Sequence, residues 1–234
     1  MLILNRLITA AAGLLCALAL VGCATGGGQA SRFDELGPAA ARPGWQGSYQ
    51  TTPAPKAFHG YCQRFFEVDP GCGVDRLDVR PDGVVAQLPC WTFKNSTDCS
   101  VEMTPARLYA LRRIHRRAND TITYTSDVAA FGEEDFWTAL PQGGRGDCDE
   151  YAITKMHALL REGWPRRAMR LTFAEIPGNE FHLVLTVRTT QGLMVLDNRY
   201  PEPMPVGKVN YWWVGQEIPG NGDWMVLGGS GSLM

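Results

Sequence analysis

The feature that most constrains the fold is a change in the spacing of apolar residues after residue 168. Before it, two segments carry apolar residues at helical spacing. After it, "AMRLTFAEI" and "FHLVLTVRT" alternate apolar positions as strands do. The strand-like pattern continues through "LMVLDN", "VNYWWVGQEI" and "DWMVL". Helices followed by a run of strands predict an α+β domain built on an antiparallel sheet.

Both predicted helices have recognisable ends. In "TPARLYALRRIHRRAND", Thr104 is suited to cap the helix and Pro105 to occupy its first position. The second helix is predicted to begin near Cys148 and to stop at Gly163. The arginines of 112–117 are interpreted as a solvated helix face, and a formal net charge of −2 gives no support for nucleic-acid binding.

The N-terminal residues have the composition of an export signal. Arg6 precedes an uncharged stretch, Leu7 to Val21, that is too short to cross a bilayer comfortably as a helix. The following "LVGC" resembles a bacterial lipobox, which implies removal of residues 1–22 and lipidation of Cys23. The alternative is an ordinary signal peptide cleaved near Ala24. We therefore expect a periplasmic, membrane-anchored lipoprotein.

The rest of the chain is predicted to divide into a tether, a domain and a tail. Residues 23–57 are rich in Gly, Ala, Pro and Ser, and they cannot bury enough surface to offset the entropy of ordering. They are interpreted as a flexible tether. Residues 58–228 are long enough to bury a core and form the predicted domain, and residues 229–234 form a disordered tail.

Cysteine usage points to an exported protein with one cysteine left over. Of seven cysteines, Cys16 leaves with the signal and Cys23 takes the lipid, which leaves five. Four of them fall in two close pairs, "CQRFFEVDPGC" and "CWTFKNSTDC". We predict the disulfides Cys62–Cys72 and Cys90–Cys99, although four cysteines allow three pairings. Cys148 remains, and its sulfur is a candidate for chemistry.

Cys148 stands at a predicted helix start in "GGRGDCDEYAITK". Unpaired backbone N–H groups there favour a thiolate and can stabilise an oxyanion. A thiol nucleophile also needs a base. Of four histidines, His59 lies at the domain edge, His115 among arginines and His157 too far along the helix. His182, on a strand, is the candidate base, and a half-buried histidine without a catalytic role is the alternative.

Asp197 follows the next apolar stretch, in "VLDN", and is the candidate acid that orients the base. If the two strands pair directly, His182 faces Asp197 only when the loop spans about residues 188–191. A tight turn at residues 191–192 would place Asp197 opposite Thr186, about 13 Å from His182. A catalytic triad therefore predicts the wider loop or a bulge.

The acids beside the cysteine, Asp147, Asp149 and Glu150, leave two interpretations open. Acids in a first helical turn complement the helix dipole, by about 0.3–1 kcal/mol each. Three carboxylates beside a thiolate are also expected to raise its pKa, and a cation would relieve this repulsion. Clustered oxygen ligands suit Ca²⁺, although calcium takes roughly six to eight ligands and this cluster alone does not supply them.

Three segments, "GDCDEYAITKMHALLREGWP", "HLVLTVRTTQGLMVLDN" and "NYWWVGQEIPGNGDWMVL", carry a resemblance to a known family. Over about residues 60 to 227 the chain resembles the bacterial transglutaminase-like cysteine peptidases of the LapG type. The resemblance implies a papain-like, transglutaminase-like fold, with the nucleophile helix packed on an antiparallel sheet. It implies Cys148 as nucleophile, His182 as base and Asp197 as orienting acid. The family motif commonly reads Cys-Glu-Asp-Tyr, whereas this chain has Cys-Asp-Glu-Tyr.

The resemblance also implies a cofactor and partners. LapG-type proteases are similar in using calcium, which here implies Ca²⁺ at Asp147, Asp149 and Glu150. The leading hypothesis is an exported cysteine endopeptidase that cleaves a protein substrate such as a surface adhesin, with a regulatory inner-membrane protein as a candidate partner. Two alternatives stay open: a transglutaminase or acyltransferase that uses the same triad, and a non-catalytic lipoprotein binding module.

Overall fold

The computed structural model describes residues 49–72, 84–85, 100–140, 144–218 and 223–227. The strands are β1 Tyr49–Pro53, β2 Val84–Val85, β3 Thr123–Tyr124, β4 Arg145–Gly146, β5 Met169–Ile176, β6 Glu180–Thr189, β7 Gly192–Leu196, β8 Met204–Pro205, β9 Trp212–Glu217 and β10 Asp223–Val226. The helices are α1 Lys56–Phe65, α2 Pro105–Thr121, α3 Asp127–Phe131 and α4 Cys148–Arg161.

Eight of these strands form one antiparallel sheet in the order β2-β1-β10-β9-β5-β6-β7-β8. Strands β3 and β4 pair separately and in parallel, directly before the start of α4. The predicted α+β class, with a helix packed on an antiparallel sheet, is confirmed.

The two faces of the sheet pack against different parts of the chain. Leu183, Leu185 and Val187 of β6 face a large core that includes buried residues of α1, α2 and α4. Val184 belongs to a second cluster on the other face, which also contains Trp213 of β9 and the segment between β7 and β9. The alternation in "FHLVLTVRT" produces this division, because successive side chains of a strand point to opposite faces.

The helix ends follow the sequence closely. The hydroxyl of Thr104 accepts a hydrogen bond from the backbone N–H of Arg107 at 3.2 Å, and Pro105 is the first residue of α2. Helix α4 begins at Cys148 and ends at Arg161, and Gly163 follows it with φ of +73°. That positive φ is the left-handed conformation in which glycine commonly ends a helix.

The fold begins earlier in the chain than the predicted domain. Strand β1 lies within residues 23–57, which the composition assigns to a tether, and pairs with β10 through Thr51 and Met225. Helix α1 also starts inside that segment, at Lys56. Strand pairing uses backbone groups, which every residue carries, so a segment with few large apolar residues can still join a sheet.

A buried ion-pair network ties the N-terminal helix region to the sheet. Arg166 donates from Nε and Nη2 to the two carboxylate oxygens of Asp69 at 2.6 and 3.2 Å, and Nη2 also donates to Glu217. The Tyr61 hydroxyl donates to Asp69 at 2.8 Å, and so does the backbone N–H of Gly71 at 2.7 Å. Tyr61, Asp69, Arg166 and Glu217 are called the Arg166 network below.

The predicted disulfide Cys62–Cys72 forms next to this network, with a Cα–Cα distance of 5.2 Å. The predicted pair Cys90–Cys99 lies outside the described residues, as do the signal of residues 1–22, the lipidation site Cys23 and the tail of residues 229–234. Among the described residues, no helix is long and apolar enough to span a membrane.

Candidate active site

Cys148 is the first residue of α4, and its side chain is buried against the sheet. Its sulfur accepts a hydrogen bond from the backbone N–H of Leu183 at 3.4 Å. The nitrogen of that N–H is bonded to the carbonyl carbon of His182, so the sulfur lies within about 5 Å of the His182 backbone. The helix start and the first part of β6 therefore meet at the two residues that the sequence singles out.

The helix start is fixed by a capping box. The carboxylate of Glu150 accepts from the backbone N–H of Asp147 at 3.0 Å and from that of Thr138 at 3.0 Å. Gly146 makes room for this arrangement, because a Cβ at residue 146 would lie 2.5 Å from Cγ of Glu150. The "GDCDE" motif thus needs its glycine for the close approach of the Glu150 side chain, which holds the backbone on both sides of Cys148.

His182 and Asp197 form the hydrogen-bonded pair that the sequence predicts. Nε2 of His182 lies 2.7 Å from Oδ1 of Asp197, and both side chains are buried. Asp197 also accepts from the Tyr211 hydroxyl and from the backbone N–H of Arg199, the latter at 2.9 Å. This leaves Nδ1 as the ring nitrogen of His182 that is not bonded to Asp197.

The register of the hairpin differs from the expected one. Thr189 pairs with Gly192, so the turn has two residues, and neither a wider loop nor a bulge is present in β6 and β7. The same register places Asp197 across from Val184, two positions from His182. The expectation of a wider loop was wrong, because a diagonal offset of two residues is still within reach of long side chains. Asp197 also follows the end of β7, where the backbone turns.

The residues that contact Asp197 keep its carboxylate ionised. Burial alone would raise the pKa of this carboxyl, but the charge and hydrogen bond of His182, with the hydrogen bonds from Tyr211 and Arg199, lower it to about 2. The hydrogen bond between Nε2 and this carboxylate fixes the orientation of the imidazole ring. A histidine that acts as a base needs such a fixed orientation.

A second feature of the site is a group of four buried acids, Asp127, Asp147, Asp149 and Glu150, called the acid cluster below. One oxygen of each lies within 4.8 Å of the others. Within the part of the chain that the structure describes, Oδ1 of Asp127, Oδ1 of Asp147 and Oδ2 of Asp149 have no hydrogen-bond partner. Buried, unpartnered carboxylate oxygens are costly, so their concentration at one point indicates a site for a cation.

Burial raises the pKa of three acids of the cluster, Asp127, Asp149 and Glu150. Burial raises the pKa of Glu150 to about 8, and the charge of Asp127 contributes. Burial likewise raises the pKa of Asp127 to about 6 and that of Asp149 well above its usual 3.8, with Asp147 contributing to both. Four carboxylates this close cannot all be ionised cheaply without either protons or a metal ion.

The family of the chain follows from a comparison with models of known protein families. A model of the bacterial transglutaminase-like cysteine proteinases matches residues 87–231, more than half of the chain. The chain belongs to this family. It is therefore a cysteine peptidase, and its substrate is a protein. The resemblance seen in the "GDCDEY" motif and the strands after it is confirmed at the level of the family.

Solved structures of Legionella pneumophila LapG are similar to this cysteine peptidase. The calcium-bound form is 23% identical with a TM-score of 0.43, and the match covers 62% of this chain and 82% of LapG. The EGTA-treated form and a further LapG structure are each 22% identical with a TM-score of 0.40, over 54% of this chain and 71% of LapG. A search of curated proteins finds no match.

The sulfur of this peptidase's candidate nucleophile is not in its reactive state. Cys148 is disulfide-bonded. The expectation that Cys148 is left unpaired therefore differs from the structure. Only a thiolate attacks a carbonyl, so chemistry at Cys148 requires the bond to be reduced first.

The sequence analysis does not identify two residues of the site. Asp127 joins the acid cluster from helix α3, and in the sequence "TSDVAAF" it has the pattern of an ordinary helix start. Tyr211 reaches Asp197 from the segment before β9. Both depend on contacts between distant parts of the chain, and neither position carries a local signal. Of the other histidines, Nε2 of His157 lies 2.7 Å from the Tyr61 hydroxyl and Nε2 of His115 lies 2.9 Å from the carbonyl oxygen of Tyr200.

Proposed function

We propose that this cysteine peptidase is an exported endopeptidase that cleaves a protein substrate through Cys148, His182 and Asp197. The observation that carries the proposal is the His182–Asp197 pair, held by Tyr211 and placed at the strand whose backbone contacts the Cys148 sulfur. The three side chains are supplied by a helix start and two strand ends. A nucleophile, a base and an orienting acid in series are what acyl transfer from a peptide requires.

The proposed reaction has two stages. The reduced Cys148 thiolate attacks the carbonyl carbon of the substrate peptide, a C–S bond forms, and His182 gives its proton to the leaving amine as the C–N bond breaks. Water then attacks the thioester, passes a proton to His182 and releases the acid as the C–S bond breaks. Asp197 keeps the imidazole oriented through Nε2 and stabilises its charged form. Backbone N–H groups at the start of α4 are suited to stabilise the oxyanion.

We further propose calcium as the resident ion of the acid cluster. Asp127, Asp147, Asp149 and Glu150 would hold it, and the unpartnered oxygens of the three aspartates fit a hard cation that prefers oxygen ligands. When bound, the ion supplies positive charge that offsets the carboxylates flanking Cys148. Asp147 and Asp149 are neighbours of Cys148 in the chain, so occupancy of the cluster is expected to affect the stability of the helix start.

The proposed location and substrate rest on the sequence. An uncharged segment ending in "LVGC" supports export and lipidation at Cys23. A peptidase tethered outside the cytoplasm meets proteins of the cell envelope, and a surface adhesin is the first candidate substrate. Regulation by an inner-membrane protein is part of the same proposal.

Thiol reactivity tests the triad without knowledge of the substrate. After reduction, Cys148 is expected to react with iodoacetamide rapidly at pH 6, where an ordinary thiol with a pKa of about 8.5 reacts slowly. His182→Ala should slow the reaction at pH 6 by about tenfold or more, because the thiolate loses its counterion. Mass spectrometry of the tryptic peptide 146–155 measures the rate at this cysteine.

The matched control is His59→Ala, since His59 is exposed and lies away from the site. It should react like the wild type. Equal, slow alkylation at pH 6 in wild type, His59→Ala and His182→Ala would contradict an activated nucleophile. Alkylation that is equally fast without prior reduction would contradict the need for reduction.

Comparison of cells with and without the gene tests the substrate class. Envelope proteins that gain new N-termini in the presence of the wild-type gene, but not with Cys148→Ala, are the expected substrates. The Cys148→Ala protein should be present at wild-type levels. A cleavage pattern that persists with Cys148→Ala would overturn the assignment of the nucleophile.

A further inference from the structure

A cavity of about 270 Å³ lies between helices α2 and α4. Four exposed charged residues line it: Arg113 and Arg117 of α2, Arg161 at the end of α4, and Glu162 directly after it. It is called the arginine cavity below. These four side chains have no role in the proposed reaction and do not belong to the acid cluster, so the cavity is a separate feature of the molecule.

The arginines of α2 form two rows, and only one row is matched by an acid. Arg112 and Arg116 are one turn apart and both pair with Glu202, Arg112 at 3.6 Å. Arg113 and Arg117 are also one turn apart, and both line the arginine cavity. The helix face that the sequence predicts to be solvated is therefore divided into a row that shares an acid and a row that borders a cavity.

Positive charge is in excess at the arginine cavity. Glu162 pairs with Arg113. Within the described ranges, the guanidinium groups of Arg117 and Arg161 have neither an ion pair nor a hydrogen bond. Three positive charges and one negative charge leave a net charge of +2 among the lining residues. Like charges one turn apart on a helix repel each other, and an anion bound between the guanidinium groups would relieve this repulsion.

The remaining surface of the cavity is mainly apolar and carries a hydroxyl donor. Ile114 and Ala118 of α2 are buried there, and Leu140 and Ala158 are half-buried. Oγ1 of Thr154, which also lines the cavity, accepts a hydrogen bond from the backbone N–H of Leu140 at 2.8 Å. Because this oxygen acts as the acceptor, its own proton remains available to a ligand. An anion in the cavity thus meets a hydroxyl donor as well as the arginines.

Size and charge together define the class of ligand. The volume is below the roughly 300–1,000 Å³ of pockets that enclose drug-sized molecules, so the cavity admits a small anion or one group of a larger molecule. Guanidinium groups bind both carboxylates and phosphates through paired N–H donors. A carboxylate carries a single negative charge, whereas a phosphate monoester carries about 1.5 to 2 at pH 7. The net charge of +2 therefore favours the phosphate monoester.

We propose that the arginine cavity is a binding site for the phosphate group of a phosphate monoester, held by Arg113, Arg117 and Arg161 with the hydroxyl of Thr154. The site is a second binding function of the molecule, and it does not depend on the proposed peptidase reaction. A soluble compound such as glycerol phosphate and a lipid such as phosphatidic acid present the same group. The experiments below distinguish these two sources.

Titration with glycerol phosphate, followed by ¹H–¹⁵N NMR of the protein in EGTA, tests the site directly. The backbone amides of Ala118, Thr154 and Ala158 should shift to saturation. The dissociation constant should rise by about threefold or more in Arg117→Gln and in Arg161→Gln, because each variant loses a charged donor. Amides that do not shift, or shifts that do not saturate, would overturn the proposal.

Arg116→Gln is the matched control for these variants. Arg116 is an exposed arginine of the same helix, it pairs with Glu202, and it does not line the cavity. At physiological ionic strength its loss should change the dissociation constant by less than about twofold, because exposed charges are screened. An equal loss of affinity in Arg116→Gln and Arg117→Gln would show that the overall charge of the helix attracts the anion, and the site would be withdrawn.

The charge of the ligand tests the choice of a phosphate monoester. The second proton of such a group leaves with a pKa of about 6, so the affinity for glycerol phosphate should rise between pH 5 and pH 7. Acetate carries a single charge at pH 7 and should bind at least about threefold more weakly. Acetate that binds as tightly as glycerol phosphate, or an affinity that does not rise with pH, would contradict the assigned class of ligand.

Melting temperatures separate a soluble source from a lipid source. They are measured for wild type and Arg117→Gln with glycerol phosphate, and with phosphatidylcholine vesicles that contain or lack phosphatidic acid. A rise with glycerol phosphate alone indicates a soluble ligand, and a further rise that requires phosphatidic acid indicates that a lipid headgroup reaches the cavity. Either result supports the site when Arg117→Gln reduces the rise. A rise of equal size in wild type and Arg117→Gln would overturn the proposal.

Discussion

Two groups of buried acids in this peptidase differ in whether a cation accompanies them. In the Arg166 network, a guanidinium bridges the carboxylates of Asp69 and Glu217. In the acid cluster, one oxygen of each of four carboxylates lies within 4.8 Å of the others, and among the described residues three of these side chains have an oxygen without a hydrogen-bond partner. In each group of acids, a glycine leaves space for a neighbouring side chain. A Cβ at Gly71 would lie 2.5 Å from the Arg166 guanidinium, just as one at Gly146 would meet Glu150.

The difference separates a structural tie from a candidate cation site. The Arg166 network is complete, because the remaining acceptor of Glu217 is bonded to the backbone N–H of Leu171 at 3.2 Å. The pKa values of the acids differ between the two groups in the same way. Burial raises the pKa of Asp69, but the charge and hydrogen bonds of Arg166 outweigh it and the pKa is lowered, whereas burial and mutual repulsion raise that of Asp149. A folded chain tolerates unpaired buried carboxylates at a place where a ligand completes them.

The largest expected loss of stability comes from removing the guanidinium of the Arg166 network. Arg166→Met leaves two buried carboxylates without their cation, which should lower the free energy of unfolding by about 3–5 kcal/mol. Urea unfolding at pH 7 measures the change. The matched control is Arg167→Met at the neighbouring, exposed arginine, which should change stability by less than about 0.5 kcal/mol. Equal losses in the two variants would show that Arg166 is not the cation on which the network depends.

In the acid cluster, removal of one charge should have the opposite sign. Without calcium, Asp149→Asn relieves repulsion and should leave the melting temperature unchanged or raised. With calcium at about 100 times the dissociation constant, the wild type should gain about 2.7 kcal/mol, and Asp149→Asn should lose most of this gain. Thermal unfolding in EGTA and in CaCl₂ measures both. Glu134→Gln, at an exposed acid, is the control and should keep the full calcium shift. An equal calcium shift in Asp149→Asn would remove this residue from the site.

The pH dependence of stability should also distinguish the two groups. The pKa of Glu150 is raised from 4.5 to about 8 and that of Asp127 from 3.8 to about 6, so between these values the folded state binds more protons than the unfolded state. In EGTA, the cluster's contribution to the unfolding free energy is present below pH 4 and is lost as the pH rises to 8. Saturating calcium should flatten this decline. Asp69, with its lowered pKa, contributes stability that is lost as the pH falls below 3.8. A difference between the unfolding free energies in calcium and in EGTA that does not grow between pH 5 and pH 8 would contradict these pKa values.

Local signals in the sequence predict the elements and the catalytic candidates. Thr104 and Pro105 start α2, and Gly163 follows α4, because caps and stops act within one turn of the helix. His182 can be selected by elimination, since the chain has only four histidines, and Asp197 by its place after the next apolar stretch. The geometry of their contact could not be derived, because the hairpin has a two-residue turn at residues 190–191, whereas the triad was expected to need a loop over about residues 188–191 or a bulge.

The features that the sequence does not predict depend on contacts between distant parts of the chain. Arg166 and Asp69 are 97 residues apart, and Asp127 joins acids that lie about 20 residues further along. Nothing near these residues in the sequence distinguishes them from solvated charges. The same holds for Lys155, which occupies a helical position where an exposed lysine would be ordinary. Burial is what shifts the pKa values of Asp127 and Lys155 from their usual range, and burial of a charged residue is decided by the whole fold.

The smallest effect is expected where the same kind of ion pair is exposed. Arg113 pairs with Glu162 while retaining 42% and 33% side-chain exposure, compared with 5% and 0% for Arg166 and Asp69. Water already solvates both charges, so Arg113→Gln should lower the unfolding free energy by less than about 1 kcal/mol. Urea unfolding at low and at high salt measures this loss, and high salt should remove most of it. Arg117→Gln on the same helix face is the control for removing an arginine. A loss in Arg113→Gln as large as that of Arg166→Met would mean that burial does not set the strength of these ion pairs, and the contrast between the two groups of acids would lose its physical basis.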